Sequence, residues 1–252
     1  MRWKKATGKK RVVLTARDMD ILTFTGLCGY ISSEQVAREW FKSRDRARHR
    51  LRDLFQAGLV DLSIVCSTRP NLVSLTRLGT KTVAKVRPSV KARLKTTRAI
   101  PVAGLEHHLA IVDARFFAAA LRLRTGWCLA AWGGGQGELA SELGLPQFRL
   151  RPDAAFVLTN HTRTCICCLE VDCGTEGTPV LDSKIERYGD LLGHGGIQEL
   201  WVVVTAGVGR QETLKKLIAK GGLGRWTRFL TPSSINARPV AGFPRKLGGR
   251  GV

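Results

Sequence analysis

The stretch RPDAAFVLTNHTRTCICCLEVDCGTE, Arg151 to Glu176, sets Asp153 directly after a proline and closes a cysteine-rich apolar run with Glu170 and Asp172. DAAFVLT and CICCLEVD alternate as two strands joined by the short turn NHTR. Asp153, near the start of one strand, can then stand beside Glu170 and Asp172, near the end of the other. Residues two apart on a strand share a face, which puts Glu170 and Asp172 together. Three like charges converging without a counter-charge repel. A hard divalent cation, Mg2+ or Mn2+, removes that penalty, takes carboxylate oxygens as ligands and retains water as a nucleophile. The chemistry expected of Asp153, Glu170 and Asp172 is therefore metal-assisted hydrolysis of a phosphodiester bond. The plainer reading is that strand ends meet solvent and that nearby arginines such as Arg151 pair with the acids.

Two further residues follow on the helical segment LDSKIERYGDLL. Lys184 can stabilise charge on a pentacoordinate phosphorus or orient water if its tip reaches the acids. Tyr188 lies one turn later, and a tyrosine can attack a phosphodiester covalently. With Tyr30 and Tyr188 the two tyrosines of the chain, packing or substrate positioning is the favoured role for Tyr188.

The elements that must position these groups read as a mixed α/β domain. LEHHLAIVDARFFAAALRLR has helical spacing, WCLAAW is a short strand before the Gly-rich GGGQGE, and DAAFVLT and CICCLEVD follow. After LDSKIERYGDLL come the apolar strand ELWVVVTA, the helix RQETLKKLIAK and the strand WTRFLTP. Helix, three strands, helix, strand, helix, strand is an antiparallel meander completed by a crossover, and it resembles the core of the PD-(D/E)XK nuclease fold. That resemblance implies a lysine two residues after the strand glutamate. Here that place holds Asp172, and Lys184 on the next helix is the candidate substitute.

The N-terminal third is different in kind. Thr15 with Asp18 resembles a helix start, followed by the apolar face of Ile21, Leu22, Phe24 and Leu27 up to Gly29. ISSEQVAREWF offers Ser32 or Ser33 as the cap of a second helix. KSRDRARHRLRDLFQAGLV buries Leu51, Leu54 and Phe55 and stops at Gly58. LVDLSIV and LVSLT then form a hairpin with Arg69 at its tip, and TRLGTKTVAKV forms one more helix. Three helices followed by a hairpin make a winged helix-turn-helix. Arg44, Arg46, Arg48, Arg50 and Arg52 would sit on the groove-reading helix and Arg69 on the wing, which contacts phosphate. The alternative is a solvated basic face on an ordinary three-helix unit.

Charge supports a polyanionic partner. The net charge is +21, and residues 1 to 100 carry 23 Lys/Arg against 7 Asp/Glu while residues 101 to 252 carry 18 against 13. Such a field draws nucleic acid and is wasted on neutral ligands. No segment approaches the roughly 20 apolar residues of a membrane span, and the basic N-terminus lacks the apolar part of a signal peptide. A cytoplasmic protein is expected, with free thiols. Cys165, Cys167, Cys168 and Cys173 lack a paired C-x-x-C arrangement and are divided between strand faces, so they read as small core residues rather than zinc ligands. GGGQGE lacks the Lys-Ser/Thr of a phosphate loop and reads as a turn. The expected divisions are a winged helix with a basic arm over 1–86, a basic linker over 87–101, the nuclease-like domain over 102–235 and a mobile Gly/Arg-rich tail over 236–252.

LTARDMDIL, RHRLRDLFQAGLV, SLTRLG, EHHLAIVDAR, RPDA, LEVDCGTE and KIERY occur in an order that resembles the plasmid replication-relaxation family over roughly residues 14 to 190. The resemblance implies double-stranded DNA as partner, roles in plasmid replication or mobilisation alongside other proteins of those processes, and relaxase-like activity in some members. Glu106 matches the position of an acidic residue in some resolvase-like nucleases. His107 and His108 beside it read as a polar helix start. A metal-dependent endonuclease or nickase is the favoured function. The rivals are a noncatalytic replication or transcription factor with a degenerate nuclease domain, and a structural nucleoid or assembly protein. The sequence is compatible with a two-fold symmetric homodimer, but no repeated apolar seam compels one.

Overall fold

A computed structural model describes residues 12–65, 68–96, 102–121, 125–134 and 136–236. The described residues divide into two compact units, one up to residue 105 and one from residue 106 onward. The expected Gly/Arg-rich tail over 236–252 lies outside the described residues, apart from Asn236.

In the first unit, α1 (Ala16–Cys28) starts at a capping box in which Thr15 and Asp18 satisfy each other's backbone N–H groups. This reciprocal bonding is what the Thr-x-x-acid spacing promised. Gly29 ends α1 at a φ of 89°. The chain then pairs briefly as β1 (Tyr30–Ser32), and Ser32 caps α2 (Ser33–Trp40). Next come α3 (Arg44–Gln56), β2 (Val60–Ser63), β3 (Leu72–Leu75) and α4 (Arg77–Val86). The strands form an antiparallel sheet in the order β1-β3-β2. Three helices thus combine with a β2–β3 hairpin that β1 extends as a third strand. Ile21, Leu22, Leu51, Leu54 and Val73 fill its core. Gly79 on α4 is required by contact, because a Cβ there would lie 2.0 Å from the Leu59 carbonyl oxygen.

The start of the stretch expected as a linker packs on this unit instead. Pro88–Arg93 winds into a 3-10 helix with Val90 buried, and the Lys95 N–H donates to the Gly26 carbonyl at 2.8 Å. Apolar Val90 and Leu94 supply the reason, since each finds a place against the helices rather than in water. Residues 97–101 lie outside the described residues.

The second unit opens with α5 (Leu105–Ala120), β4 (Cys128–Gly134) and the short α6 (Glu138–Glu142). It continues through β5 (Ala154–Thr159), β6 (Thr164–Asp172), α7 (Thr178–Gly193) and β7 (Glu199–Val204). It closes with α8 (Val208–Lys220), β8 (Thr227–Leu230) and α9 (Pro232–Asn236). The five strands lie in chain order, β4-β5-β6 antiparallel and β6-β7-β8 parallel. This is the expected mixed sheet, a meander extended by two helical crossovers.

Strand alternation gives the sheet two buried faces. Phe156, Leu169, Val171, Trp201 and Val203 pack with Ala110, Ala114 and Ala118 of α5. Cys168, Leu200 and Val202 pack with Leu181, Ile185, Leu214 and Ile218 of α7 and α8. Glu170 and Asp172 alternate with Val171, so they belong to the α7/α8 face. Among the described residues, no helix is long and apolar enough to cross a membrane.

Candidate active site

Asp153 precedes β5 by one residue and is locked to β6. Its N–H donates to the Leu169 carbonyl at 2.9 Å, and its Oδ2 accepts the Val171 N–H at 2.7 Å. This two-point clasp holds the carboxylate beside Glu170. The remaining oxygen, Oδ1, lies 3.1 Å from His107 Nε2 on the first turn of α5. That hydrogen bond raises the imidazole pKa against the opposing effect of burial.

Glu170 is held from the other side by α7. Tyr188 Oη donates to Oε1 at 2.6 Å and Lys184 Nζ donates to Oε2 at 3.2 Å. Residues four apart on a helix share a face, so the Lys-x-x-x-Tyr spacing delivers both donors to one carboxylate. Lys184 also donates to Glu176 Oε1 at 2.8 Å. Burial, helped by the charge of Asp153, pushes Glu170 up to about 7, and this outweighs the lysine and the tyrosine. Burial disfavours the charged Lys184, yet Glu170 and Glu176 overcome it and raise its pKa.

Tyr188 is 1% exposed, and burial pushes its phenol well above the usual value. Its proton is committed to Glu170. The hydroxyl is thus engaged with a carboxylate and shut off from solvent.

Asp172 is turned to a different partner. Arg210 of α8 grips it with Nε on Oδ2 at 2.6 Å and a terminal nitrogen on Oδ1 at 3.0 Å, and the Gly174 N–H adds a bond of 3.2 Å. Arg210 also donates to the Glu176 carbonyl at 2.6 Å. A forked guanidinium bond of this kind uses both carboxylate oxygens. Among the described residues, Asp153, Glu170 and Asp172 do not bring one oxygen each within 4.8 Å of the others. All three acids nevertheless line one pocket, where Asp172 is engaged by Arg210 and Glu170 by Lys184 and Tyr188.

His107, Asp153, Glu170, Glu176, Lys184 and Tyr188 line one pocket, backed by Ile185 and Val202. Glu106, the expected acid of α5, is exposed and is not among the lining residues; one step along the helix turns His107 inward in its place. The two oxygen-rich, mutually repelling carboxylates of Asp153 and Glu170 suit a hard divalent cation, which commonly takes one or two carboxylates and completes its shell with water or phosphate oxygens. His107, Glu176 and Arg210 were not legible as partners. Arg210 meets Asp172 across 38 residues of sequence, and no local spacing signals that.

The arginines of α3 divide. Arg44, Arg46, Arg48 and Arg52 are exposed, although Arg44 also lies 2.9 Å from Glu34. Arg50 turns inward instead: its Nε donates to Asp18 Oδ1 at 2.8 Å and a terminal nitrogen donates to the Val13 carbonyl at 2.8 Å. The Asp18 side chain is fully buried, so Arg50 neutralises a core acid and is not free for a groove. Burial opposes ionisation of Asp18, but bonds from Arg50 and Thr15 outweigh it and hold the carboxyl below its usual range. Arg69 is exposed at the tip of the β2–β3 hairpin.

The sequence pattern of the family described as replication-relaxation matches residues 23–203. The comparison with curated proteins returned no match. Among solved structures, the restriction endonuclease FokI is similar at 10% identity and a TM-score of 0.32, over 88% of this chain and 43% of that one. FokI bound to DNA is similar at 10% identity and a TM-score of 0.30, over 86% of this chain and 43% of that one. The chain thus spans less than half the length of the FokI chains.

Proposed function

We propose, because this chain belongs to the replication-relaxation family, that it is a DNA-binding protein of plasmid or mobile-element replication or mobilisation whose second unit hydrolyses DNA phosphodiester bonds. One observation carries the catalytic part: Asp153 just before β5 and Glu170 near the end of β6 line one pocket, with the Lys184 ammonium 3.2 Å from Glu170. Carboxylates beside a lysine form a site that can hold a divalent cation and a phosphate together.

Asp153 and Glu170 would hold Mg2+ or Mn2+, which when bound lowers the pKa of water and offsets charge on the phosphate. His107 fixes the orientation of Asp153. Lys184 leaves Glu170 to meet a non-bridging phosphate oxygen or the attacking water, and its charge opposes the negative charge that grows as the new P–O bond forms. Tyr188 keeps Glu170 in place. Asp172 orders the chain after β6 through Arg210 and Gly174.

The first unit would dock on duplex DNA. Arg46, Arg48 and Arg52 on α3 suit the groove, and Arg69 on the wing suits phosphate. The reading is tested with supercoiled plasmid incubated with Mg2+, Mn2+ or chelator. Open-circle or linear product that needs the metal and is lost in Lys184→Met supports hydrolysis; unchanged topology under all conditions refutes it.

A second reading keeps the DNA binding and drops the chemistry. It is favoured by the absence of a lysine two residues after Glu170, where Asp172 is clamped by Arg210. It predicts salt-sensitive DNA binding without metal-dependent product.

A further inference from the structure

The opposite end of β6 holds a group that the hydrolytic reading does not use. Cys165 and Cys167 are two apart on the strand and share a face, with their sulfurs 3.6 Å apart. Glu199 opens β7 and pairs with Cys167 in the parallel ladder. One ligand atom from each of the three lies within 4.8 Å of the others. We propose that Cys165, Cys167 and Glu199 bind one thiophilic divalent cation of the Zn2+ class.

Geometry favours this over a chance contact of core thiols. Metal–sulfur bonds of about 2.3 Å at a tetrahedral centre separate two sulfurs by about 3.8 Å. The thiols therefore need to part by only a few tenths of an ångström. Cys168 faces the other core and cannot join them. The strand alternation that divides the cysteines between faces is also what brings this pair together.

The carboxylate is supported as ligating carboxylates are. Trp201 Nε1 donates to Glu199 Oε2 at 2.7 Å, and Arg228 donates to Oε1 at 3.2 Å. Such outer partners orient a ligand and tune its charge. Two thiolates and one carboxylate are balanced by a divalent ion together with the Arg228 guanidinium. Cys167 is buried, whereas Cys165 is half-buried and the Arg228 side chain is 46% exposed, which leaves an approach for the ion and a fourth position for water. Sulfur donors select against Mg2+, so the site is chemically distinct from Asp153 and Glu170.

The test uses the full chain, reduced and stripped with chelator. Zn2+ is titrated against a chromophoric chelator, and Co2+ is added separately to seek the intense near-ultraviolet thiolate-to-cobalt band. One equivalent and a band that excess Mg2+ leaves in place are expected. Loss of an outer partner commonly weakens a metal by about 10-fold or more, so Cys165→Ser, which removes a ligand, should weaken Zn2+ by at least that factor. Glu199→Gln should weaken it as well, and Cys173→Ser should match the wild type. Circular dichroism checks that each variant is folded. Absence of the band in the wild type, or a band of wild-type strength in folded Cys165→Ser, would overturn the proposal.

Discussion

Tyr188 donates to Glu170 Oε1 at 2.6 Å while Lys184, one turn earlier on the same helix, donates to Oε2 at 3.2 Å. A single helix thus supplies both a neutral and a cationic donor to one buried acid. The tyrosine is the steadier partner, since its hydroxyl has no other bond among those described for the pocket. Tyr188→Phe should therefore slow hydrolysis without abolishing it and raise the Glu170 pKa further, because the lost bond favoured the charged form. A net hydrogen bond of this kind contributes about 1 kcal/mol. Complete loss of cutting with capture of a DNA adduct by the wild type alone would instead mark Tyr188 as a nucleophile.

The Glu170 pKa of about 7 has a consequence for stability. The carboxyl is raised above its ordinary value of 4.5, so the folded state binds more protons than the unfolded state between those two values. Its contribution is fully present below pH 4.5 and is lost as pH rises through about 7. The size is on the order of 3 kcal/mol. Urea denaturation of wild type and Glu170→Gln at several pH values should show a gap between them that shifts in favour of the variant as pH rises. A gap independent of pH would contradict the raised pKa. Added Mg2+ should counter the loss in the wild type.

Arg50 and Arg48 should separate folding from DNA binding. Arg50→Ala leaves the buried Asp18 without its guanidinium, and breaking a buried ion pair costs about 3–5 kcal/mol. Arg48→Ala should leave the melting temperature nearly unchanged while weakening DNA binding and reducing the salt dependence by about one phosphate contact. Thermal melts and fluorescence anisotropy with a DNA duplex at several salt concentrations read the two effects. Equal melting temperatures for Arg50→Ala and the wild type would refute the structural role of Arg50.

Asp172 and Arg210 should behave as one structural unit. Asp172→Ala and Arg210→Ala, combined in a double-mutant cycle, should show a coupling energy of about 1–3 kcal/mol. Additive losses would show that the forked bond adds nothing beyond its two halves.

Much of this was legible because it is local. The capping box of Thr15 and Asp18, the stop at Gly29 and the alternation of CICCLEVD each require only neighbouring residues. Asp153 and Glu170 could be placed together from the strand pairing alone. β1 was missed because three residues carry too short a pattern to distinguish a strand from a loop. Arg50 was misassigned because sequence shows charge but not direction: it sits at the rim of the apolar stripe, where a buried acid draws it inward. His107 was overshadowed by Glu106 because a helix turns by about 100° per residue, so adjacent residues face different ways. The Cys165–Cys167–Glu199 group was hidden for another reason. Two of its members share a strand, and the third arrives only through a parallel crossover.

The most direct measurement is nicking of supercoiled plasmid in Mg2+ by the wild type, Asp153→Asn and Asp172→Asn, with binding to the same DNA measured alongside. In the proposed mechanism Asp153 would help hold the cation, whereas Asp172 is engaged by Arg210, so the wild type and folded Asp172→Asn should nick whereas Asp153→Asn should bind without nicking. Nicking by Asp153→Asn at the wild-type rate, or by none of the three despite tight binding, would contradict the Asp153–Glu170–Lys184 site as the seat of hydrolysis.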